Sequence, residues 1–191
     1  MKAIHIAGID FGSKLAGTTC VCYAEGNRLR VVQSQKKADA DEFLMHHLGS
    51  RPFALAGIDA PLSLPRVYSG VGDDYFFRQA DRQLKAMSPM FLGGLTARAM
   101  RLRHLLQQQG VNVIECYPAA LVDQTETLQH TYKKDLAGFH QSVATWLQAF
   151  QVPAFANWHQ ADSVLAWISA WRYSRGLHLS VGHAEEGVII V

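Results

Sequence analysis

Hydrophobic and polar positions along the chain fall into two rhythms, and the switch between them divides the sequence. The apolar run at 3–10, closed by Asp10, predicts a buried strand. Residues 18–24 and 29–34 then alternate around Glu25-Gly26-Asn27-Arg28, whose Gly and Asn tolerate positive φ. The chain is therefore expected to open with three antiparallel strands. Asp39 stands three residues before Glu42, the spacing of a capping box. Phe43, Leu44 and Leu48 follow at helical spacing and Gly49 offers a stop, which predicts a short amphipathic helix. The continuous apolar run at 53–58, ended by Asp59-Ala60-Pro61, reads as a strand buried on both faces of a parallel sheet. Helices are expected at 73–86 and 96–109, then a strand at 111–116 stopped by Pro118, then helices at 132–150 and 161–175 with Gly176 as C-cap. The end at 186–191, Glu186-Gly187 and then the apolar run to Val191, suggests an edge strand.

Composition narrows the class. The chain has 191 residues, 49% of them hydrophobic and 18% charged, with a formal net charge of +2. At that length one core can stand without disulfides or metals, and we find no repeat, linker or low-complexity tract, so a single domain over 1–191 is expected. No run approaches the ~20 apolar residues of a membrane span. Asp10 interrupts the N-terminal apolar run before a signal peptide could form, and a cytoplasmic location is the expectation. Three cysteines, Cys20, Cys22 and Cys116, lack both disulfide parity and zinc-site spacing, and read as reduced core residues. Charge is uneven: between positions 66 and 104 stand Arg66, Arg78, Arg82, Lys85, Arg98, Arg101 and Arg103 against only Asp73, Asp74 and Asp81.

The carboxylates carry the chemistry. Asp10 and Asp59 close two matching strands, Ala7-Gly8-Ile9-Asp10 and Ala56-Gly57-Ile58-Asp59, and Glu115 closes a third. Ligands of an open α/β sheet bind outside the carboxyl ends of its strands. Acids there on neighbouring strands would face each other across about 5 Å of strand spacing. Asp162 opens the last expected helix on the same stripe as Leu165, Ala166 and Ser169, facing the sheet. Inward carboxylates without basic partners suit hard divalent cations such as Mg²⁺ or Mn²⁺, which take oxygen ligands. Two such ions about 3.5–4 Å apart can clamp the attacking and leaving oxygens of a phosphoryl displacement. Each residue also has a plain structural alternative: Asp59 as turn former, Asp162 as a dipole-favoured helix start, Glu115 paired with Arg78 or Arg82. For Asp10 that alternative is weakest, since Gly8, Gly12 and Gly17 read as backbone kept bare for a ligand.

At these residues the chain resembles the family of RNase H-like nucleases grouped as domain of unknown function 429. The resemblance rests on Gly8-Ile9-Asp10, on the run from Gly57 through Ile58-Asp59-Ala60-Pro61-Leu62-Ser63-Leu64 to Pro65, on Arg78-Gln79-Ala80-Asp81-Arg82, on Glu115-Cys116-Tyr117-Pro118, and on Asp162-Ser163-Val164-Leu165-Ala166-Trp167 with Glu185-Glu186-Gly187. It implies an RNase H-like mixed α/β sheet, antiparallel strands 1–3 followed by parallel βα units, with helices on both faces and strand one beside strand four. The element order agrees. It further implies divalent-metal-dependent nuclease activity, with Asp10, Asp59, Glu115 and Asp162 as catalytic residues, the three aspartates holding Mg²⁺ or Mn²⁺, and Arg78, Asp81 and Arg82 flanking the cleft. Glu115 is the weakest of the four, because strand five lies farther from strand one than strand four does.

Arg78 and Arg82, four apart, could position a phosphate, and Arg98, Arg101 and Arg103 with His104 could track a phosphodiester backbone, or each set could be a solvated helix face. His159 is a candidate proton shuttle. Trp146, Trp158, Trp167 and Trp171 read as core. Two rival functions remain open in the sequence: an actin-like or sugar-kinase-like phosphotransferase, suggested by Asp10-Phe11-Gly12-Ser13-Lys14, and a non-catalytic metal- or nucleotide-binding domain. Length weighs against the first, which needs two such domains.

Overall fold

The structure, a computed structural model, describes residues 5–191; the strand start expected at Ala3 and Ile4 lies outside them. Seven strands form one sheet: β1 (Ile6–Asp10), β2 (Cys20–Glu25), β3 (Arg28–Gln33), β4 (Leu55–Asp59), β5 (Asn112–Cys116), β6 (Ser180–His183) and β7 (Gly187–Ile190), in the order β3-β2-β1-β4-β5-β7-β6. β1 runs antiparallel to β2 and parallel to β4, and β4, β5 and β7 continue the parallel half. This is the mixed α/β sheet expected from the sequence, consistent with an RNase H-like arrangement. β7 is not the edge, however. It pairs with β5 on one side and with β6 on the other, and the Ser-Val-Gly-His composition of β6 gave no apolar run to announce it.

Alternation along each strand sorts the two cores. Ala7, Ile9, Ala56, Ile58 and Val113 face α1 (Ala40–Gly49) and α4 (Gly94–Gln108). On the opposite face Ile6, Leu55, Ile114 and Cys116 meet α8 (Trp158–Ser174), around which α5 (Pro118–Asp123), α6 (Glu126–Gln129) and α7 (Leu136–Trp146) are arranged. Ten consecutive residues of α8, from Ala161 to Ala170, are buried. Trp167 is buried among them, the other three tryptophans pack partly buried against this core, and all three cysteines are free and buried. Among the described residues no helix is long and apolar enough to cross a membrane.

Caps explain where the helices depart from expectation. Asp39 caps α1, accepting from the amides of Asp41 (2.8 Å) and Glu42 (3.3 Å). The helix expected at 73–86 is only α2 (Gln79–Leu84), because Asp74 accepts from the amides of Phe76 and Phe77 and turns the chain there. A short α3 (Pro89–Leu92), capped by Ser88, precedes α4. Asp135 caps α7, so that helix starts three to four residues later than its apolar pattern. Asn157 caps α8, so Asp162 lies in its second turn, not at its start.

The approach of α8 to the sheet depends on two glycines paired in register, Gly8 of β1 and Gly57 of β4. A Cβ on Gly8 would overlap the backbone of Ser163 and Trp167, and one on Gly57 would lie 2.7 Å from the Ala166 carbonyl. Gly8→Ala should therefore push α8 off the sheet and lower stability by about 1–3 kcal/mol, the cost of overpacking a filled core. Urea unfolding measures it; a variant as stable as the parent would contradict this contact.

Candidate metal centre

Parallel register places Asp10 opposite Asp59 at the carboxyl ends of β1 and β4, on the face that α8 covers. Because Gly8 and Gly57 let that helix come close, Asp162 completes the group from above. One carboxylate oxygen from each of Asp10, Asp59 and Asp162 lies within 4.8 Å of the other two. Asp10 is 9% exposed and Asp162 6%. The glycines near Asp10 serve the protein and not a ligand: Gly8 meets α8, Gly12 abuts Thr18, and Gly17 turns with φ +73° against Lys36. The Gly12 amide, part of the loop that resembles a phosphate loop, donates to Thr19 Oγ1 (3.1 Å).

The three aspartates differ in their partners. Asp10 Oδ2 lies 2.8 Å from His159 Nδ1, while Asp162 accepts from the Tyr132 hydroxyl (2.9 Å) and from Lys133 Nζ (2.6 Å). Among the described residues no side chain or amide donates to Asp59. Burial, reinforced by the charges of Asp10 and Asp162, holds its carboxyl well above the usual carboxylate range. Asp10 is raised too, by burial first, against the opposing pull of its bond to His159, and that same bond raises the imidazole. The Tyr132 hydroxyl is pushed up by burial and by Asp162. Lys133 is 46% exposed at its side chain and lies near the rings of Tyr132 and Trp158. An all-oxygen set in which one carboxylate lacks a partner and another is met by a half-exposed ammonium fits a hard divalent cation, and Asp10, Asp59 and Asp162 are the residues that could hold it.

Glu115 stands outside this group, in a buried network with Arg78. Arg78 is 0% exposed and all five of its guanidinium donors are engaged: Nε and Nη2 with Asp81 (3.0 and 2.6 Å), Nη1 and Nη2 with Glu115 (2.7 and 2.6 Å), and Nη1 with Ser63 (2.8 Å). None is left for a substrate phosphate, so the role expected for Arg78 gives way to a structural one. Glu115 also accepts from the Leu62 amide (2.8 Å), and Glu186 from those of Gln79 (2.8 Å) and Arg66 (3.3 Å). The motifs around 57–65, 78–82, 115–118 and 185–187, far apart in the chain, thus meet in one clamp that fixes the loop leaving Asp59.

The remaining arginines separate by exposure. Arg82 is exposed, bonded to Asp74 (2.7 Å) and over the Phe77 ring. Arg98 pairs with Asp41 (2.6 Å), donates to the Gly12 carbonyl (3.1 Å) and covers the Phe11 ring, bracing the loop after Asp10. Arg103 donates to the Leu62 carbonyl (3.2 Å). Arg101 is exposed and shares a hollow with Lys14. A cleft of about 230 Å³ opens beside Asp10 and Asp59, walled by Phe11, Pro61, Met87, Leu92, Leu95 and Tyr117. Sequence reasoning missed Tyr132 and Lys133, since they fall in a turn that the apolar period at 132–150 absorbed into a helix; Lys133 takes φ +57° there.

A scan against protein-family models finds no match for this chain, and a search of curated proteins likewise finds none.

Proposed function

We propose that the protein is a divalent-metal-dependent phosphodiesterase of the nuclease type, using Mg²⁺ or Mn²⁺. One observation carries this reading: Asp10, Asp59 and Asp162 converge at the carboxyl edge of the sheet, with Asp59 unpartnered among the described residues. A bound ion there would polarise the phosphoryl group and supply a hydroxide-like water at neutral pH. The chain's own residues orient the ligands. His159 holds Asp10, Tyr132 holds Asp162, and the Arg78–Glu115 clamp fixes the loop beyond Asp59. Nucleic acid is the proposed partner, and the buried reduced thiols suit a cytoplasmic location. The test is hydrolysis of bis(p-nitrophenyl) phosphate and of nucleic acid with Mn²⁺, Mg²⁺ or chelator. Metal-dependent turnover is expected; none on any of these substrates would overturn the reading.

Lys133 occupies the place of a cation at Asp162, so it should compete with the metal. Lys133→Met is expected to lower metal-free stability by at most about 1 kcal/mol, since the ammonium is half-exposed and the Tyr132 hydroxyl still donates to the buried Asp162, while tightening Mn²⁺ binding in calorimetric titration. Weaker Mn²⁺ binding in the variant would count against Lys133 as a stand-in cation.

A further inference from the structure

The segment from 66 to 92 carries rings that neither core uses. Tyr68, Tyr75, Phe76 and Phe91 are 50–65% exposed. Tyr68 and Tyr75 meet edge to face at 6.1 Å between centroids, Phe76 and Phe91 at 5.8 Å, and Phe77 approaches Phe91 at 5.8 Å with the Arg82 guanidinium over its own face. Single exposed rings are ordinary, but two exposed ring clusters joined in the chain at Tyr75 and Phe76 mark a binding surface. This set begins where the carboxylate cleft ends. Leu92 lines the cleft and its neighbour Phe91 faces solvent, while Met87 is both exposed and on the cleft wall. Across the cleft, Arg98 covers the Phe11 ring while paired with Asp41, and the hollow beyond it holds Arg101 and Lys14 together with Asp39 and Glu42.

We infer that these rings form a stacking platform for unpaired bases, and that the substrate of the carboxylate site is single-stranded nucleic acid. This rests on the nuclease reading above. Open ring faces beside cations are what sequence-tolerant single-strand binding uses. A duplex keeps its base faces inside its own stack and offers the rings only sugar and phosphate, which gain nothing from them. Charge favours nucleic acid over a protein partner as occupant: along the ring segment Arg66, Arg82 and Lys85 are exposed against Asp73 and Asp74, and Arg101 is exposed on the opposite bank. A strand laid across the cleft sets its bases on the rings and its backbone towards Arg101, with a phosphate passing Asp10 and Asp59 between them.

The test is fluorescence anisotropy with labelled 12-nucleotide single strands, DNA and RNA, and with the matching duplexes, all in chelator so that turnover plays no part. Single strands should bind at least about tenfold tighter than duplex. Phe91→Ala and Phe76→Ala, at exposed positions whose folding circular dichroism checks, should each weaken single-strand binding about 5- to 100-fold, the range for loss of one stacked base. The salt slope should stay unchanged, because no phosphate contact is removed. Leu177→Ala, an exposed apolar position elsewhere, should bind as the parent does. Equal affinity for duplex, unaltered binding by both ring variants, or no nucleic-acid binding at all, as when a protein covers the patch, would overturn the inference. Calorimetric titration with Mn²⁺, which involves no ring, reports separately on the carboxylate site.

Discussion

Arg78→Ala is expected to cost about 3–5 kcal/mol, a large share of the ~5–15 kcal/mol that holds a domain together. The reason is what it strands. Glu115 and Asp81 are both buried, and each receives two charge-assisted hydrogen bonds from this one guanidinium. Burial already raises the Glu115 carboxyl, with Arg78 as its chief opposing influence. Without the arginine, both acids must take up protons or lie unpaired inside the protein. Arg78→Lys should recover little, since a single ammonium cannot reproduce a planar fork that bonds three partners at once. Urea unfolding measures both variants. A loss below about 1 kcal/mol for the alanine variant would mean that the clamp is not structural.

Asp59→Asn should have opposite effects with and without metal. In chelator the substitution replaces the most strongly raised of three crowded carboxyls by an amide that carries no charge at any pH, so the melting temperature should stay the same or rise, unlike most substitutions at such sites, which cost ~1 kcal/mol. With Mn²⁺ or Mg²⁺ at a hundredfold excess over Kd, the parent gains about 2.7 kcal/mol, roughly 5–10 °C for a chain of this size; the variant should gain almost nothing. Metal-dependent diester hydrolysis should fall by more than about 100-fold, because losing a direct ligand costs more than losing a residue that orients one. The pH dependence follows from the same shifts. The carboxyls of Asp10 and Asp59 are raised in the folded state. Their contribution to metal-free stability is therefore complete below the ordinary carboxylate range near ~4 and is lost as pH rises through the raised values. Metal binding needs both deprotonated, so its stabilising effect grows over that window. In Asp59→Asn both trends should flatten. If the variant is destabilised in chelator while metal shifts both proteins equally, Asp59 is a turn residue and not a ligand.

What could be read from the sequence was whatever rests on local pattern. The three-strand opening, the helix capped by Asp39 and the buried strand before Asp59 are written in alternation, capping spacing and an apolar run, and the structure has them all. The pairing of Asp10 with Asp59 was legible because the two strands repeat one motif, and identical motifs in parallel neighbours fall into register. Asp162 was placed by its helical stripe. What stayed hidden depends on contacts between distant segments. That Gly8 receives a helix and not a ligand is decided by Ser163 and Trp167, more than 150 residues away. The Arg78–Glu115 pair was among the alternatives the sequence offered, and the structure has it. The complete burial of Arg78 and its further bonds to Asp81 and Ser63 were hidden, because its neighbours suggested a helix from 73 whereas Asp74 turns the chain there. Lys133, in a turn of left-handed backbone, carries no periodic signal at all.

The most direct test of the three-carboxylate centre is an anomalous difference map from crystals soaked in Mn²⁺ and collected at the manganese edge. The expected result is a peak bounded by Asp10, Asp59 and Asp162, with the Lys133 ammonium withdrawn from Asp162. Manganese bound only elsewhere, with the Lys133–Asp162 pair intact and the three carboxylates empty, would contradict it.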